Sequence, residues 1–130
     1  MLDFFADIHP ENMWIPLCLS FSTDVGIAIS QEYSAVLLNS KNTCFIVGDQ
    51  PALNTCATYD IATSPTELEI YYPIAPHTAL LISKKTNYAN GETIIVTDDE
   101  VRSFNSFEYK ASHEYLFAKE QDHLNQFINN

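Results

Sequence analysis

TIIVTDDEVRSFNSFEYKAS, Thr93 to Ser112, holds the change of period on which the fold turns. Thr93 to Val96 is a β-branched apolar run, the composition of a strand. Thr97-Asp98-Asp99-Glu100 then reads as a capping box. The threonine side chain accepts from the backbone N–H three residues on, and the glutamate reaches back to the threonine N–H. Asp98 and Asp99 add negative charge in the first turn, where the helix dipole favours it. Val101, Phe104, Phe107 and Ala111 follow at helical spacing, so a helix is expected from Asp98 to about Ser112.

The same reading extends on both sides. Tyr33 to Leu38, Thr43 to Val47, Leu68 to Tyr72 and Thr78 to Ser83 are short apolar runs of strand type. Asn39 to Asn42 is turn-forming, so the first two runs are expected to pair as a hairpin. Pro73 should close the third run, because proline cannot donate to a ladder. Asn54 to Thr66 reads as a loop. Asn90-Gly91 is the strongest turn signal in the chain. Tyr115 to Phe117 is a further short strand. Glu120 to Ile128 is a terminal helix with Leu124, Phe127 and Ile128 inward. Glu11 to Ser30 mixes two periods. Ile15, Leu17, Leu19, Val25, Ile27 and Ile29 sit at odd positions, while Met13, Leu17, Phe21 and Ala28 share a helical face; a helix is expected.

The expected architecture is a single α+β domain over 1–130. A mostly antiparallel sheet of about five to six strands is packed by an N-terminal helix and two C-terminal helices. Its parts are a helical lead-in over 1–30, the sheet with the capping-box helix over 31–118, and a terminal helix over 119–130.

Seventeen acidic residues against six basic ones give a formal charge of −11. That balance argues against direct nucleic-acid binding, since a phosphate backbone would be repelled. It suits a basic protein partner or a divalent cation. Cys18, Cys44 and Cys56 form no C-x-x-C, and each has apolar neighbours. They are expected to be reduced and buried, in a cytoplasmic protein. The N-terminus lacks the positive region of a signal peptide, and no apolar run has membrane-span length.

Candidate chemistry centres on Gly48-Asp49-Gln50-Pro51. Gly48 lets the chain turn, Pro51 ends the strand, and Asp49 suits an Asx-type turn. A carboxylate at a strand end equally suits a general base or metal ligand. Glu67 and Glu69 flank Leu68 and should share one face. With Asp49 they would make a three-carboxylate site for a divalent cation. His77 is the histidine nearest these acids and the second catalytic candidate; His9, His113 and His123 are isolated. Cys44 and Cys56 have no base beside them in sequence, which argues against a thiol nucleophile. Glycine-rich phosphate loops and a nucleophile elbow are absent. Trp14, Tyr71 and Tyr72 suit interface anchors or core, and alternation should bury one of the two tyrosines.

Three blocks in order resemble a known family. CFIVGDQPALN, residues 44–54, resembles the F-I-T-S-D-N-P-V signature of the bacterial domain of unknown function 4238. YYPIAPHTALLIS, residues 71–83, resembles its F-P-L-S-P-x-x-A-L-L-I-S block, and VRSFNSFEYKASHEYLFA, residues 101–118, its last helix and strand. The resemblance implies that this chain looks like the C-terminal half of such proteins, with Met1 to Ser30 as the tail of a helical part. It implies that Asp49 and Pro51 match the signature and Asn105 the helix asparagine. Val47-Gly48 stands where the signature has Thr-Ser, and Gln50 where it has Asn; if the family's site uses that hydroxyl, the resemblance implies an inactive copy here. No catalytic role is carried over.

Two functions from different classes follow. One is a non-enzymatic, acidic protein-binding module, an inhibitor or subunit of a basic partner, with homo-oligomers compatible. The other is a metal-dependent, nuclease-like hydrolase fragment using Asp49 and nearby carboxylates.

Overall fold

The computed structural model describes residues 10–58 and 64–128. The first nine residues of the expected lead-in, part of the expected loop at 59–63 and the last two residues of the terminal helix lie outside the described residues. So do the side chains of Met13, Trp14 and Ile128. The chain divides into two compact units, Met1–Glu32 and Tyr33–Asn130.

The first unit contains helix α1, Pro10–Glu32. Pro10 suits the first helical position, where its missing N–H costs nothing. Pro16 lies further inside the helix and forgoes one backbone bond there. Ile15, Leu17, Leu19 and Phe21 are all more than half exposed. The odd-numbered spacing explains this. Residues two apart are about 200° apart round a helix, so the apolar side chains form no single stripe.

The second unit is α+β. In chain order it contains β1 (Tyr33–Ser40), β2 (Val47–Gly48), β3 (Leu53–Asn54), β4 (Ile70–Ala75) and β5 (Thr78–Lys84). Next come β6 (Thr93–Val96), α2 (Asp98–Ala111), β7 (Leu116–Phe117) and α3 (Asp122–Ile128). The main sheet has the order β3-β4-β5-β1-β6, and β2 and β7 form a separate antiparallel pair. β1 pairs antiparallel with β5, Val36 opposite Leu81, and parallel with β6, Leu38 opposite Ile94. The turn before β6 places Gly91 at a φ of +79°, the left-handed region that glycine enters without a Cβ penalty. The Gly91 N–H donates to the Ala35 carbonyl at 2.8 Å.

Helix α2 starts where the capping box places it. The Glu100 N–H donates to Thr97 Oγ1, and the Thr97 N–H donates to Glu100 Oε2 at 2.7 Å. Val36, Leu38, Tyr71, Leu81 and Val96 from the sheet form one core with Val101 and Ala111 of α2. Phe104 stacks on Tyr71, ring centres 4.5 Å apart. Tyr71 is fully buried and Tyr72 is 39% exposed, as alternation requires.

The expected hairpin between Tyr33–Leu38 and Thr43–Val47 does not form. β1 runs on to Ser40, and both its edges are taken by β5 and β6. Cys44, Phe45 and Ile46 are buried but belong to no strand. The third strand begins at Ile70 instead of Leu68, and Pro73 lies within it. Beyond Tyr71, β4 has no neighbour on the β3 side, so Pro73 sits on a sheet edge where a missing N–H is tolerated.

The second face of the sheet is apolar as well. Leu37 lies opposite Leu80, Leu80 opposite Tyr72, and Ile82 opposite Ile70. Leu37 and Tyr72 are 38% and 39% exposed and Ile95 is 57% exposed, so this face is open.

Candidate functional site

The segment from Ser40 to Asp49 is held by side chains of α2 and by backbone bonds to His77, Pro76, β7 and Tyr115. Asp98, in the first turn of α2, accepts from the Thr43 N–H at 3.2 Å and from Asn42 Nδ2 at 3.4 Å. The Thr43 side chain first, then Asn42 and the Thr43 N–H, hold its carboxyl below the usual range. Two turns on, Asn105 accepts the Ile46 N–H at 3.0 Å and donates to the Cys44 carbonyl at 2.9 Å. Glu108 then accepts the Gly48 N–H at 2.8 Å. Asn105 and Glu108 are both fully buried on the inner face of the helix. Helix α2 thus supplies side-chain partners along one edge of the run, for the Ile46 and Gly48 N–H groups and the Cys44 carbonyl.

Asp49 completes the clasp. Its two carboxylate oxygens accept the N–H groups of His113 and Glu114, at 2.9 and 3.0 Å. The Asx-type turn expected from the sequence is replaced by bonds to the loop after α2. These backbone donors, His113's first, keep the Asp49 carboxyl below its ordinary value.

Gly48 is required by closeness. A Cβ built there would lie 3.1 Å from Ser112 Cβ and 3.2 Å from Glu108 Oε2. Gly48→Ala should therefore lower stability by about 1–2 kcal/mol as the helix yields. A thermal melt unchanged from wild type would contradict that crowding.

The other expected ligands lie apart in their bonding. Glu69 joins Thr55 and Ser83, its two oxygens each accepting a hydroxyl at 2.7 Å. Glu67 pairs with Lys84 at 3.1 Å. Among the described residues, no group of three or more His, Cys, Asp or Glu side chains could hold a metal ion.

Glu108 is the carboxyl whose environment is most unusual. Burial pushes it up to about 7, against the opposing effect of the Gly48 N–H. Among the described residues, its Oε1 and the Tyr71 hydroxyl are buried without a hydrogen-bond partner. Burial, and then the nearby Glu108 charge, push the Tyr71 phenol upward. In the sequence, Glu108 looks like any polar residue of an amphipathic helix.

His77 meets a thiol. It lies in the turn between β4 and β5, with Nε2 3.5 Å from Cys44 Sγ and Nδ1 3.1 Å from Ser40 Oγ. The expectation that Cys44 has no base beside it is corrected here, because the partner is 33 residues away in the chain. Burial of all three cysteines is corrected too: Cys44 is buried, while Cys18 on α1 and Cys56 after β3 are exposed. An open apolar hollow of about 190 Å³ lies alongside, lined by Phe45, Val47, Pro73, Ile74, Pro76 and Phe117.

The family model described as a protein of unknown function, DUF4238, matches residues 10–122. The chain belongs to the DUF4238 family. The DUF4238 match begins in α1 and ends in the first turn of α3, a wider span than the three blocks that resemble the signature. No curated protein and no solved structure matches the chain. In this DUF4238 member Asn105 ties the segment at Cys44 and Ile46 to α2, and Asp49 ties it to the loop after α2.

Proposed function

We propose that this DUF4238 protein is a protein-binding module whose partner is a basic chain. The observation that carries the reading is the second face of the sheet. The runs YSAVLL, TALLIS and TIIV are apolar on both faces, the pattern of strands covered on two sides. One face is covered by α2, while Leu37, Tyr72 and Ile95 on the other are open. A contiguous apolar face of this kind suits a protein contact. The formal −11 selects a basic partner and opposes self-association, because two copies would repel. The three free cysteines suit a reducing compartment, which makes the cytoplasm the proposed location. Among the described residues no helix is long and apolar enough to cross a membrane.

A photocrosslinker placed at Ile95 should capture one defined chain of basic composition. Its affinity for the purified protein should fall at least about tenfold between about 50 and about 300 mM salt. Tyr72→Ser combined with Ile95→Ser should abolish the complex while the melting curve stays cooperative. An affinity untouched by the double substitution, or a partner whose binding ignores salt, would overturn the reading.

A further inference from the structure

We propose that Cys44 is a peroxide-reactive thiol, with His77 as its base and Ser40 as the residue that orients the base. Ser40 Oγ donates to the Thr43 carbonyl at 2.7 Å. With its proton committed there, the hydroxyl meets His77 only with a lone pair. The His77 Nδ1 at 3.1 Å is therefore the donor of that contact. A neutral imidazole protonated on Nδ1 has its lone pair on Nε2. Nε2 is the nitrogen facing Cys44 Sγ, so the thiol proton points at a base. Nucleophile, base and orienting group stand in the order that activates a thiol.

The backbone holds all three in place. The Ser40 N–H donates to the His77 carbonyl at 3.0 Å, and the Phe45 N–H donates to the Pro76 carbonyl at 2.7 Å. Asn105 fixes the Cys44 carbonyl from the other side. The order of the three groups depends on no loop movement.

Size and charge choose the electrophile. Cys44 is 4% exposed, so a bulky substrate is excluded. The charge of −11 disfavours anionic oxidants. A small neutral hydroperoxide fits both conditions. In the step, His77 Nε2 takes the thiol proton and the sulfur attacks one peroxide oxygen. The O–O bond breaks, and the leaving oxygen takes the proton back from Nε2. Sulfur is oxidised by two electrons to a sulfenic acid, and the peroxide is reduced to water or an alcohol.

Cys18 and Cys56 are internal controls, since both are exposed. The full chain is treated with hydrogen peroxide below one equivalent, quenched with catalase, and then unfolded in urea containing dimedone, so that the trap reaches every sulfenic acid. The adducts are then assigned by peptide mass spectrometry. Cys44 should be trapped at least about tenfold faster than either exposed cysteine, the size of effect a positioned base supplies. His77→Gln should remove that advantage and leave the rates at Cys18 and Cys56 unchanged. Ser40→Ala, which removes only a hydroxyl, should lower the Cys44 rate without lowering the melting temperature into the assay range. Trapping at Cys18 or Cys56 ahead of Cys44 in the wild type overturns the proposal. A Cys44 rate unchanged in Ser40→Ala does so too, whether or not His77→Gln folds.

Discussion

Asn105→Ala should lower the unfolding free energy by about 3 kcal/mol. The side chain satisfies one buried N–H and one buried carbonyl, both on the segment that has no strand partner. Truncation leaves Ile46 N–H and the Cys44 carbonyl unpaired in the core, at about 1–3 kcal/mol each. It also opens a space where a fully buried side chain stood. Urea denaturation reads the effect as a lowered midpoint at unchanged slope. Asn105→Asp keeps the acceptor for Ile46 N–H, yet sets a carboxylate against the Cys44 carbonyl, so it should rescue nothing. A loss under about 1 kcal/mol for the alanine variant would show that water or a shifted backbone takes over both bonds.

The second large effect is a dependence on pH. Glu108 titrates at about 7 when folded, against an ordinary value of 4.5. The folded protein therefore holds this proton more tightly than the unfolded chain. Between those two values the folded state binds more protons, so stability falls as pH rises. The full linkage would be about 3 kcal/mol, of which about 2.5 kcal/mol is lost between about pH 5 and about pH 8. Asp49 and Asp98 act in the opposite direction. Both are held below their ordinary 3.8, so their contribution is present above that value and lost as pH falls through the folded one. The stability optimum should then lie near about pH 5. Glu108→Gln keeps an acceptor for the Gly48 N–H and removes the titrating group. It should flatten the alkaline limb and be more stable than wild type at about pH 8, with little difference at about pH 5. An alkaline limb of the same slope in Glu108→Gln would assign the effect to other groups.

Both effects come from the same structural choice. The run at 44–48 is sealed along one edge by a helix, and a helix offers side chains, not a backbone ladder. Asn105 supplies an amide that matches one donor and one acceptor. Glu108 supplies only acceptors and brings a charge into the core with it. The sheet makes one core with α2, and on its other face Leu37, Tyr72 and Ile95 are exposed.

Read alone, the sequence determined what depends on neighbours a few residues apart. The start of helix α2 is legible to the residue because its capping box acts within three positions. β6 and β7 are placed by short apolar runs, Gly91 by its turn, and Tyr71 against Tyr72 by alternation. Tertiary structure alone decided which groups meet. Asn105, Glu108 and Asp49 bond to positions 59 to 65 residues away, and His77 finds Cys44 across 33. A run of buried apolar residues states that its backbone must be satisfied, and says nothing about whether a strand or a helix side chain will do it. The polar residues that did so, Asn105 and Glu108, carry no local mark, because their partners are backbone atoms and backbone atoms have no sequence.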